Sequence, residues 1–81
     1  MTLSKLRWRC RRGTRELDVV LQRFLDETYP HLDQAEQDAF ASLLEQQDPD
    51  LAAWILSGKA PPERWRGVVA RIRKQIDAVG S

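Results

Sequence analysis

Eighty-one residues carry 13 lysines and arginines against 12 acids, a net charge of +1, with 42% apolar and 31% charged side chains. Such a balance excludes a disordered chain, which needs fewer apolar residues and a larger charge imbalance. The length suits one helical domain, residues 1 to 81, whose small core needs apolar surface from every element.

The first predicted helix runs from Leu3 to Cys10, with Leu3, Leu6 and Cys10 on one face. Gly13 interrupts it, because glycine alone takes positive φ at little steric cost. In the second helix Leu17, Val20, Leu21, Phe24 and Leu25 form a core-facing stripe, and Asp18, Gln22, Arg23 and Asp26 take the wet side. Tyr29-Pro30 closes it, since the residue before proline avoids helical backbone. The third helix starts at Asp33, with Glu36 three residues on as a capping box, and buries Phe40, Leu43 and Leu44.

The fourth starts at Asp48-Pro49, with Asp48 as the N-cap and Pro49 where its missing donor costs nothing. Leu51, Ile55 and one of Trp54 or Leu56 point inward, and Ser57-Gly58 ends it. The fifth follows Pro61-Pro62, carries Trp65, Val68, Val69, Ile72 and Ile76 inward, and ends at Gly80. Its later turns hold Lys and Arg, which suit the negative end of a helix dipole. No strand alternation is present, so the fold class is all-α, a single compact bundle of about five short helices.

Charge is sorted along the chain. Residues 1 to 15 hold Lys5, Arg7, Arg9, Arg11, Arg12 and Arg15 and no acid, and residues 16 to 50 hold ten acids and the single base Arg23. Residues 51 to 81 are basic again. Sorting of this kind bears on partners more than on fold. Cys10 is the only cysteine, so no intrachain disulfide forms, in keeping with a reducing compartment. No apolar run approaches the roughly 20 residues that span a bilayer, and no secretory signal pattern is present. The expected location is cytoplasmic.

Catalytic chemistry has little to build on. His31 is the only histidine and reads as polar turn, Cys10 reads as a small core residue, and the two have no metal-ligand spacing. Paired carboxylates such as Asp26-Glu27 and Asp48/Asp50 read as caps and solvated faces. No glycine-rich loop follows a strand, so phosphate and dinucleotide fingerprints are absent. The chain therefore reads as no enzyme, with no catalytic residues and no metal site.

Two interaction readings follow. The N-terminal arginines and Trp8 suit a nucleic-acid-binding helical module. Against it stand the modest net charge, the acidic centre and a helix-turn-helix that would offer DNA Asp48 and Asp50. Alternatively the basic residues are a solvated face that offsets the acidic middle. That suffices for Arg7, Arg9 and Arg15, but explains less well the Arg12-Gly13-x-x-Glu16 corner, where a base, a glycine at a helix junction and an acid at a helix start concentrate directional groups. Glu16 is also favourable near a helix N-terminus in its own right.

The segment Leu6-Arg7-Trp8-Arg9-Cys10-Arg11-Arg12-Gly13-Thr14-Arg15-Glu16-Leu17-Asp18 resembles the "W-x-x-R-R-G-M-x-E-L-D" stretch of the small assembly factors that promote covalent FAD attachment to the flavoprotein subunit of succinate dehydrogenase. Leu43-Leu44-Glu45, Asp48-Pro49-Asp50-Leu51 and Trp54-Ile55-Leu56 resemble the later "L-L-x…D-P-D-L…W-L" stretch, in order and at similar spacing. Thr14 departs from the pattern, where Met is usual, and removes an apolar contact at the corner.

The resemblance implies a helical fold, a monomer when free, and binding to that flavoprotein subunit, with fumarate reductase as a second client. It implies help with autocatalytic flavinylation of a client histidine, with no FAD held stably by this chain. It also implies that Arg12, Gly13 and Glu16 carry the activity, with Arg11, Arg7 and Trp8 behind them. Physically, the Arg12 fork suits a partner's carboxylates or carbonyls, Glu16 accepts partner hydrogen bonds or orients Arg12, and Gly13 permits close backbone approach. Trp65 reads as core, while Trp8 reads equally well as core or interface anchor.

Overall fold

The computed structural model describes residues 3 to 80, with side chains through residue 76. Its five α-helices are α1 (Leu3–Arg9), α2 (Arg15–Glu27), α3 (Gln34–Leu43), α4 (Asp48–Leu51) and α5 (Glu63–Gly80). A 3-10 turn, Tyr29–His31, separates α2 from α3, and a π-helical turn, Ala52–Leu56, continues α4. No strand occurs among the described residues. The radius of gyration is 11.4 Å, close to the roughly 12 Å of a folded chain this long.

The apolar stripes of all five helices meet in one core. Leu6, Cys10, Leu17, Leu21, Phe24, Leu25, Phe40, Leu43, Leu51, Ile55, Val69 and Ile72 are among its members. α5 is the central strut: it packs on α2, α3 and the π turn, while α1 packs on α2. Phe24 and Phe40 meet at 5.0 Å between ring centroids, and Tyr29 reaches Phe40 at 5.7 Å. Trp65 is buried, as its spacing predicts, and its indole N–H donates to Ser42 Oγ at 3.3 Å, which joins α5 to α3.

Several local expectations need correction. Leu3 is 56% exposed, because α1 is too short to press its first turn onto α2. Val20 and Ile76 are half-buried at the core margin, as is Trp54, and Leu56 is exposed. Asp33 caps α3 by accepting from the Glu36 N–H at 2.8 Å, but the Glu36 carboxylate turns to Arg71 at 2.7 Å rather than completing a reciprocal box. Gln47, not Asp48, stands at the N-cap of α4. Arg64 and Arg66 stand in the first turn of α5, Arg71, Arg73 and Lys74 in its middle, and the last turn holds no base, so these cations sit too far from the C-terminus for the dipole to matter. α5 has 18 residues and is not short.

Candidate functional site

The corner between α1 and α2 is built by one side chain. Gly13 takes φ 82°, a left-handed conformation that reverses the chain between the helices. Arg12, just before it, folds its guanidinium inward. Nε donates to Asp48 Oδ1 at 2.7 Å, and Nη1 donates to the carbonyls of Leu44 at 2.6 Å and Arg9 at 3.2 Å. Nη2 donates to the carbonyl of Gln46. The Arg12 backbone N–H donates to Asp18 Oδ1 at 2.6 Å. The side chain is only 14% exposed. A planar fork with fixed donor directions suits this work, since it satisfies carbonyls where α3 ends and the helix has no further partners for them.

The fork of Arg12 is thus occupied within the chain. Glu16 is the opposite case: it is exposed in the first turn of α2, and no described residue bonds its carboxylate. Nor does it orient Arg12, a role that falls to Asp18 and Asp48. A Cβ placed on Gly13 would meet nothing within 4 Å. Inside this chain no backbone crowds Gly13, and the space beside it is open.

Trp8 is 72% exposed and not in the core. With Leu3, Ser4, Arg7 and Arg11 it lines a shallow groove along α1. Arg11 is exposed, and Arg7 pairs with Asp26 at 2.5 Å. The Arg7 partnership holds the Asp26 carboxyl below its ordinary pKa and raises that of the guanidinium. Val19 adds a 57% exposed apolar side chain three residues after Glu16, on the same helix face. Arg7, Trp8 and Arg11 therefore share one groove, Gly13 stands on the turn that follows it, and Glu16 stands at the start of α2.

Cys10 is fully buried behind this surface, and burial raises its thiol pKa to about 11. At neutral pH this favours the thiol over the nucleophilic thiolate. Among the described residues no cluster of His, Cys, Asp and Glu could hold a metal ion.

Sequence reasoning missed Asp18 and Asp48 as partners of Arg12, assigning them to solvent and to a helix cap. Both lie inside the quoted motif segments, so the signal was the motif and not the periodicity. Thr14 is exposed and extended and makes no side-chain cap, so its departure from the pattern alters surface and leaves core packing untouched.

The family model described as flavinator of succinate dehydrogenase matches residues 4–76. The chain is 53% identical over 53 residues to an FAD assembly factor of Aliivibrio fischeri, covering 65% of this chain and 62% of that protein. It is 40% identical over 73 residues to the FAD assembly factor of Coxiella burnetii, 88% of each chain. With that of Haemophilus ducreyi it shares 37% identity over 75 residues, 91% of this chain and 92% of the relative.

Proposed function

The chain belongs to the family of succinate dehydrogenase flavinators, and from that premise we propose that it binds the flavoprotein subunit of succinate dehydrogenase and promotes its covalent FAD attachment. Fumarate reductase is the second client. The chain acts as a cytoplasmic monomer and is no enzyme. No described helix is long and apolar enough to cross a membrane, and the family description supports an assembly role over nucleic-acid binding.

The observation that carries the reading is the pairing of open space at Gly13 with an uncommitted carboxylate at Glu16. A client backbone can approach Gly13 without meeting a side chain, and Glu16 can accept its N–H or cationic donors. Trp8 offers an apolar anchor, of the kind enriched at binding hot spots, and Arg11 flanks it with charge. Arg12 contributes indirectly, by fixing the turn that presents Gly13. The bond between flavin and histidine forms within the client. This protein holds the client's flavin-bearing region in the reactive arrangement, a gain in proximity and orientation.

Gly13→Arg tests the proposal. The left-handed backbone adds about 1–2 kcal/mol of strain for any non-glycine residue, and a Cβ at this position meets nothing within 4 Å. The variant should keep its helical circular dichroism while client binding and covalent flavin, read by in-gel flavin fluorescence, are lost. Normal flavinylation by a folded Gly13→Arg protein would refute the reading.

A further inference from the structure

A second groove lies where the connection after the π turn crosses α5. It is lined by Trp54, Lys59, Pro61, Arg66, Val69 and Arg73, and shares no lining residue with the groove at Trp8. The Arg73 guanidinium lies against the backbone at Gly58, where a Cβ would come within 2.9 Å of Nη1, and Nη1 donates to the Trp54 carbonyl at 3.4 Å. Gly58, at φ 82°, therefore both ends the helix and leaves room for the cation. Arg66 and Arg73, seven residues apart, share a helix face.

Among the described residues no acid pairs with Lys59, Arg66 or Arg73. Elsewhere on α5, Arg71 is neutralised by Glu36 and Arg64 lies over the Trp65 ring at 4.9 Å. Three cations with no acidic partner among the described residues thus rim a floor made of Trp54, Pro61 and Val69.

We propose that this groove docks a short acidic segment of a partner polypeptide, with carboxylates on Lys59, Arg66 and Arg73 and an apolar side chain against Trp54. Charge complementarity selects the sign of the occupant. The apolar floor selects a peptide over a free inorganic anion, which has no use for it. A duplex nucleic acid is contacted through a longer basic track, on the order of 6–10 phosphates, and this groove offers fewer cations. The site stands apart from the flavinylation reading and does not depend on it.

The test is an amide NMR titration of the full chain at low salt with the blocked peptide Glu-Asp-Leu-Asp-Glu. The expected result is saturable shifts at Gly58, Lys59, Arg66 and Ala70, lost at high salt. Arg66→Gln and Lys59→Gln, whose side chains make no internal bond, should each weaken binding by up to about fivefold, the range of a single exposed ion pair. The neutral peptide Gln-Asn-Leu-Asn-Gln should bind far more weakly. Equal shifts from the neutral peptide, none from the acidic one, or tighter binding of inorganic phosphate or a DNA duplex at the same amides would each overturn the proposal.

Discussion

Arg12 and Glu16 are separated by one turn of chain and differ in what they do. Arg12 satisfies two carbonyls at the end of α3 and one carboxylate on α4, so Arg12→Ala leaves polar groups half-buried and without partners. Unfolding by urea should show a loss of about 1–3 kcal/mol, the range for leaving a buried acceptor without its donor. Arg12→Lys should recover little of it, because an ammonium cannot reproduce the fork. Glu16→Gln removes no internal bond and should stay within about 0.5 kcal/mol of the parent, as surface changes do, while client flavinylation falls. An unchanged urea midpoint for Arg12→Ala would show that the network is not formed in solution.

α1 is seven residues long, below the roughly 12–15 residues at which an isolated helix persists in water. It is held by Leu6 and Cys10 in the core, by the exposed Arg7–Asp26 pair and by the Arg12 network at its exit. The thiol of Cys10 has a folded pKa near 11 against an ordinary value of 9.0, because burial disfavours the thiolate. A raised folded pKa means that the unfolded chain loses its proton first. The stability this gives is complete below pH 9.0 and is lost as pH climbs toward about 11. Cys10→Ala should therefore show a shallower alkaline fall in thermal midpoint than the parent. Parallel falls in the two proteins would dismiss the thiol as the cause.

At the scale of the molecule, the sorted charges in the sequence become an ion-pair map. Arg7–Asp26, Arg9–Glu45, Arg12–Asp48 and Arg71–Glu36 each join a basic end of the chain to its acidic centre. Arg7 and Arg9 thus meet that centre as direct pairs. All but Arg12 and Glu36 are well exposed, and exposed pairs contribute little and are screened by salt. Raising salt from about 0.05 to 1 M, where the Debye length falls to about 3 Å, should thus lower the stability of the parent by no more than about 1–2 kcal/mol. A larger loss would mean that the pairs act as a network.

Helix number, helix order and most of the core were legible because helical spacing of Leu, Phe, Val and Ile leaves few alternatives. Leu3 and Asp48 were misread for one reason: periodicity reports a helix face but not how far a neighbouring helix covers it or what approaches from 36 residues away. The corner was legible only as residue types. That Arg12 is spent internally, while Glu16 has no bonding partner among the described residues, depends on the approach of the α3–α4 connection, which no local pattern encodes.

That long-range approach also constrains how such a chain can vary. Positions 12 and 48 lie in separate motif segments yet share one charge-assisted hydrogen bond. A change at position 12 strands Asp48 and the carbonyls of Leu44 and Gln46, whereas a change at position 48 leaves Arg12 its carbonyl partners, so position 12 is the less free to drift. Activity lost through a substitution at position 12 would then register a failing scaffold, whereas under the proposed function a loss at position 16 would register the client contact. Saturation mutagenesis should sort the two by abundance: variants at 12 thinned from the soluble fraction, variants at 16 abundant and silent.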